Sequence, residues 1–308
     1  MEHKSRRKKT QHSCLDLDKL KKECTASAEV ISQLRVRAPN ASEACCIRYL
    51  LVHHNDLELA AENIDKMLIW RQITFPMTTT PYSTSSDAFY CHGYDKLGHP
   101  ILFYVGGRVN IKTRNIEELT RYFIYMMEVA LSRIPKTNMQ VVVVIDRSVP
   151  LDSDYDFASH ISYVSQKYYP ALIYRIYVYP AGLVFKSVWF IMKQITSNRV
   201  AKILRPISNV EGLRNVIDDK YIPVRMGGSC TYEFNINDYP SPFAENFKLL
   251  SPGEIADDDV EEGEDLPDDL YVEESNDHES VNNRINQPSM SIYYMNSLIQ
   301  EDNAHNDK

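Results

Sequence analysis

Three short constellations in this 308-residue chain have residue types that could do chemistry. His92, Asp95 and His99 bring two imidazoles and a carboxylate close together in sequence, the donor types that hold zinc. Their spacing fits no standard zinc pattern, and Asp95-Lys96-Leu97-Gly98 has the composition of a turn, so a surface turn is the better account. Asp146 ends the run Gln140-Val141-Val142-Val143-Val144-Ile145, a position where α/β enzymes often place a carboxylate. No partner His or nucleophile accompanies it. His53-His54 reads as a helix C-terminal feature and Cys45-Cys46 as helix packing. Gly106-Gly107-Arg108 is too short to cradle a nucleotide, and no Walker loop, dinucleotide fingerprint or nucleophile elbow is present. Neither an enzyme, a metal site nor a cofactor is expected from these residues.

A different chemistry is written between Phe157 and Val210. This stretch has no Asp or Glu but seven bases: Lys167, Arg175, Lys186, Lys193, Arg199, Lys202 and Arg205. The chain as a whole has 42 acids against 34 bases. Within the stretch, Ala181 to Lys193 is strongly apolar and interrupted mainly by lysines. Greasy surface plus positive charge suits a membrane or an anionic headgroup. A buried sheet with its covering helix would also be apolar, and composition leaves both readings open. The negative charge is concentrated elsewhere, with fourteen acids and no Lys or Arg from Glu254 to Glu279. Without those fourteen, the formal charge moves from −8 to +6. That argues for a localised basic site, and no nucleic-acid partner is expected.

The basic run Lys4-Ser5-Arg6-Arg7-Lys8-Lys9 precedes no apolar core of a signal peptide. The longest apolar candidate, Ala171 to Ile195, is broken by Arg175, Pro180, Lys186 and Lys193. The six cysteines show no CxxC spacing. A soluble cytoplasmic protein with reduced thiols is the expectation.

The elements that must position these residues follow from periodicity. Leu15 to Arg37 and Ser42 to Gln72 read as helices, the second with an apolar stripe at positions 57, 60, 61, 64, 67 and 68. Asn55 and Glu58 offer a capping box at its start. Thr78 to Ser86 is a linker. Alternation then predicts strands over Ala88–Tyr94 and Pro100–Val105, joined at Gly98. A helix over Ile116–Arg133, the strand ending at Asp146, a helix over Asp154–Tyr169 and a strand over Tyr174–Tyr179 come next. Helices near Val184–Ile195, Arg199 and Val210–Ile217, with a strand near Leu204, complete an α/β layer with a largely parallel sheet. The expected organisation is a basic disordered terminus (1–14), a helical part (15–77), an α/β domain (87–230) and an acidic disordered tail (231–308).

Several of these residues resemble a known family. Arg48-Tyr49-Leu50, Asn55-Asp56 and a helix ending Trp70-Arg71 resemble the helical N-terminal part of CRAL-TRIO lipid-binding proteins. His92-Gly93-Tyr94-Asp95-Lys96-Leu97-Gly98-His99-Pro100 is similar to their first hairpin. Ile161 to Pro170 resembles the helix before the strand that leads into the lipid gate, and Ile222-Pro223-Val224-Arg225-Met226-Gly227-Gly228 their closing segment. The His-Gly-Tyr-Asp-Lys and Met-Gly-Gly runs look most like the subgroup that carries a motile-sperm domain downstream, a domain expected to be absent here. The resemblance implies a gated apolar pocket between sheet and helices. In the phosphatidylinositol-transfer branch a Glu follows Tyr-Tyr-Pro and a Lys follows the gate; here Ala171 and Lys202 stand at those places.

The expectation is therefore a lipid-binding or lipid-transfer protein that is transiently peripheral on membranes. Val142, Val144 and Tyr177 on the sheet, with Val184, Phe185, Val188, Trp189 and Ile191 on the gate, would line or border the pocket. Lys186, Lys193, Arg199, Lys202 and Arg205 would face headgroup or membrane. The alternative is a non-catalytic, membrane-directed adaptor whose acidic tail recruits a protein partner.

Overall fold

The computed structural model describes residues 24, 26–75, 86–134, 140–149, 154–183, 185 and 198–239. The chain begins, within that range, with three helices: α1 (Ala28–Arg37), α2 (Glu43–Val52) and α3 (Leu57–Thr74). Ser27, Ser42 and Asp56 cap them, each side chain accepting from a backbone N–H of the first turn. The cap of α3 is thus Asp56 rather than Asn55, because Asn55 takes φ +66 in the left-handed bend that reverses the chain. Ala60, Ala61, Ile64 and Met67 bury the expected stripe against Leu34, Ile47 and Leu50.

The α/β domain follows as β1 (Phe89–Tyr94), β2 (Pro100–Tyr104), α4 (Ile116–Ser132), β3 (Val141–Asp146), α5 (Tyr155–Tyr168) and β4 (Ile173–Tyr179). It closes with α6 (Asn198–Ile203), β5 (Leu204–Pro206) and α7 (Val210–Arg214). The five strands lie in sequence order, β1–β2 antiparallel and the remaining pairs parallel. Each parallel step advances one place in the same direction, so right-handed crossovers put every connecting helix on the same side. The contacts agree for α4 and α5. Cys91 Sγ reaches Met126 O on α4 at 3.5 Å, and Phe157 on α5 packs on Phe89 and Tyr104.

Two buried clusters result, one in the helical part and one between sheet and helices. A clasp joins them. Trp70 stacks on Tyr168 with ring centres 3.9 Å apart and planes 7° from parallel. Arg71 pairs with Glu128, a fully buried carboxylate on α4 that also accepts from Tyr169 Oη at 2.6 Å.

The opposite side of the sheet is covered by residues 217–239. Arg225 donates to Asp146 at 2.7 Å and to Tyr90 Oη at 2.5 Å, while Tyr179 Oη donates to Met226 O. The Met226-Gly227-Gly228 motif has a steric reason. Gly227 takes φ +91, and a Cβ on Gly228 would stand 2.1 Å from the Ile222 carbonyl oxygen. The packed segment extends past the boundary expected at residue 230. Tyr232 stacks on His92, and buried Tyr239 donates to Cys91 O at 2.9 Å. Two aromatic anchors outweigh a composition that otherwise reads as tail.

Candidate functional site

Side-chain alternation along β3 separates two surfaces. Val142 and Val144 point with Ile101, Phe103 and Tyr177 toward the layer that carries Arg225 and Met226. All five are at most 1% exposed. The sheet positions expected for the pocket are thus brought together, but on the closed face. Between them, Val143 and Ile145 point toward the α4/α5 side and are only half-buried. Ile176 on β4 and Leu204 on β5 stand beside Val143 in register, and both are half-buried as well. Tyr104, paired with Ile145, ends the row at β2.

An interior strand, hydrogen-bonded on both sides, ordinarily buries its aliphatic residues on both faces. Here one face is packed, and on the other Leu102 and Val178 are buried while a patch of Val143, Ile145, Ile176 and Leu204 is left half-open. A continuous β-branched run hides this distinction in the sequence. With no polar residue in alternation, nothing says which valines face which way.

Phe185 lies in the connection after β4, its ring beneath the Arg147 guanidinium at 4.9 Å. Arg147 also donates from its backbone to Tyr179 O at 2.6 Å, tying the ends of β3 and β4 together. Lys202 is exposed on α6, which also carries Arg199. Arg205 is in register with Tyr177, which directs it to the closed face. Val184, Lys186, Val188, Trp189, Ile191 and Lys193 lie outside the described residues.

The other candidates resolve into structural roles. Asp95 and His99 are buried rather than on a surface turn. His99 Nδ1 sits 2.8 Å from Asp95 Oδ2, and Asp95 Oδ1 accepts from the Leu97 and His99 amides. The Tyr174 ring stacks on His99, so the turn is folded into the domain. Among the described residues no group of three or more His, Cys, Asp or Glu is arranged to hold a metal ion. Asp146 is committed to Ser148, through its amide and hydroxyl, and to Arg225. Cys45, Cys46 and Cys91 are buried free thiols, and burial pushes Cys46 up to about 11 and Cys91 up to about 12. Two clefts of about 660 and 700 Å³ lie on the helical part. The first is lined mainly by small and apolar residues such as Ile31, Val36 and Pro39 with Arg35 and Glu43 at its wall, the second mainly by charged ones such as Arg37, Glu58, Glu62 and Asp65, and neither includes a sheet residue. No described helix is long and apolar enough to cross a membrane.

A layered α/β domain with one half-open aliphatic sheet face, backed by a helical N-terminal part, defines the class. Residues 84–228 match the CRAL/TRIO domain. Over 211 residues it is 22% identical to the phosphatidylinositol/phosphatidylcholine transfer protein SFH9 of Arabidopsis thaliana, an alignment covering 60% of this chain. The match spans only 36% of that relative's length. Among solved structures it is similar to the crystal structure of Sfh5, with a TM-score of 0.51 at 19% identity, over 69% of this chain and 77% of that one. At that identity the likeness is one of fold.

Proposed function

We propose that the chain binds a lipid against the half-open face of its sheet and transfers or presents it between membranes. The observation that carries this reading is the partial exposure of Val143 and Ile145 in the central strand of a five-stranded sheet. Aliphatic side chains left half-open forgo roughly 1 kcal/mol each of transfer free energy, which a hydrocarbon ligand would supply. The match of residues 84–228 to the CRAL/TRIO domain and the name of the SFH9 relative support the same class of cargo.

The β4–β5 connection is the proposed gate. A right-handed connection from β4 to β5 would pass on the side that α4 and α5 occupy. A diacyl lipid carries about 30 methylenes at about 0.8 kcal/mol each, so escape through water is slow and a dry, lidded cavity is required. The lid must also meet a bilayer to exchange cargo. Val184, Phe185, Val188, Trp189 and Ile191 supply apolar surface on this connection, and Lys186, Lys193, Arg199 and Lys202 supply charge for docking on anionic membranes. Binding and release need no bond to be made or broken, so the reading is a carrier rather than an enzyme.

Mass spectrometry of an organic extract of the purified full chain is the direct test, with transfer of labelled lipid between vesicles beside it. About one equivalent of lipid is expected. Val143→Phe, which fills the open space, should lower bound lipid by about tenfold or more while the circular-dichroism spectrum is kept. An empty protein that moves no lipid would reject the carrier and leave the adaptor reading, in which the acidic tail recruits a partner.

A further inference from the structure

Seven large hydrophobic side chains stand exposed among the described residues, and three of them, Leu59, Ile69 and Ile73, share one side of α3. Positions 59, 69 and 73 fall within about 80° of one another around the helix. Glu62 and Lys66, paired at 2.7 Å, interrupt that side. Its unbroken apolar part is therefore the C-terminal end: Ile69, 57% exposed, Ile73, 80% exposed, and half-buried Trp70 between them in sequence. Residues three and four apart are neighbours on a helix surface, so these three form one strip rather than scattered side chains.

The last described residue lies nearby. Tyr239 donates to Cys91 O, and the Arg133 guanidinium lies over its ring at 5.3 Å. Arg133, at the end of α4, is about 7.5 Å along that helix from Glu128, which Arg71 of α3 holds. The sequence that follows has the pattern this strip needs. Ser241-Pro242 is a helix-start signal and Ser251-Pro252 a stop. Between them Phe243, Phe247 and Leu250 stand at i, i+4 and i+7, with Glu245 and Lys248 on the opposite side of that period. So short a helix is marginal in water and needs a surface for its stripe. From Tyr239 to Phe243 the chain reaches up to about 14 Å, enough to pass around a helix about 10 Å across. We propose that residues 243–250 dock as an amphipathic helix on Ile69, Trp70 and Ile73 of their own chain. Leu250 stands four residues before Glu254, so docking also anchors the start of the acidic tract beside the helical part.

Hydrogen exchange of the purified full chain, read by mass spectrometry, is the test. The amides of residues 243–250 are expected to exchange about tenfold or more slowly than in a free peptide of the same sequence. Ile69→Ser with Ile73→Ser should remove that slowing while exchange in α4 and β1 stays as in the wild type, since both side chains are exposed. Phe243→Ser with Phe247→Ser, on the other partner, should remove it as well. Fast exchange of residues 243–250 in the wild-type chain, or slowing that survives the changes in α3, would overturn the docking. Slowing that appears only at concentrations where sedimentation shows a dimer would give the strip to a second copy and overturn it too. The same holds if residues 243–250 exchange fast while the wild type floats with neutral phosphatidylcholine vesicles and the α3 variant does not: the strip would then belong to a bilayer.

Discussion

Glu128 takes a negative charge into a layer with no access to water, and the helical part supplies what it needs there. Arg71 from α3 and Tyr169 beyond α5 both meet its carboxylate. Burial, followed by the charge of Glu128, holds the Tyr169 hydroxyl well above its ordinary range, so it stays protonated and donates. Such a pair adds little net stability over an apolar substitute, but removing one partner strands the other. Glu128→Ala is expected to lower unfolding free energy by about 3–5 kcal/mol in urea denaturation followed by circular dichroism. A loss below about 1 kcal/mol would mean that Arg71 finds another partner. Neither Arg71 nor Glu128 announces this role in sequence, since they lie 57 residues apart.

At the scale of elements, the closing segment shows how a short motif works through shape. Gly228 is tolerated because its hydrogen passes the Ile222 carbonyl where a methyl group would not. Gly228→Ala should therefore cost about 1–3 kcal/mol, and with it the docking of Arg225 on Asp146. Faster amide exchange along β1 and residues 222–230 than in the wild type would report that loss; unchanged exchange would show that the loop absorbs the methyl. Strand and helix positions were largely legible, because β-branched runs and helical stripes reflect local sterics. The end of the packed chain was not. Tyr232, Phe234 and Tyr239 look like residues of a polar tail until β1 is seen to lie beneath them.

For the whole molecule, charge separation is the dominant feature. Seven bases without an acid occupy residues 157–210, and fourteen acids without a base occupy residues 254–279. Each base near an anionic bilayer contributes about 1 kcal/mol, screened by salt. Flotation with neutral and anionic vesicles should show preference for the anionic ones, reduced by Lys186→Glu with Lys193→Glu. Equal binding to both, indifferent to the changes, would reject electrostatic docking. If the acidic tract competes for the same bases, truncation after Ser251 should strengthen binding at low salt, and the difference should fade as salt rises. Unchanged binding at low salt would leave the tract to a protein partner.

The chain of amino acids by itself determined the order of elements, the parallel sheet, the hairpin turn at Gly98 and the family likeness. Each of these depends on neighbours a few residues apart or on motifs read in series. Tertiary structure alone decided which valines of β3 face the packed layer and which the half-open one. Alternation fixes that neighbours oppose each other, yet an unbroken run from Val141 to Ile145 gives no polar residue to mark the outer side. The choice is made by what arrives from far along the chain: Arg225 and Met226 on one face, Met126 and Phe157 on the other. The buried Asp95–His99 pair has the same origin, since the approach of Tyr174 on one side and of Val216 and Ile217 on the backbone turns an apparent surface bend into core.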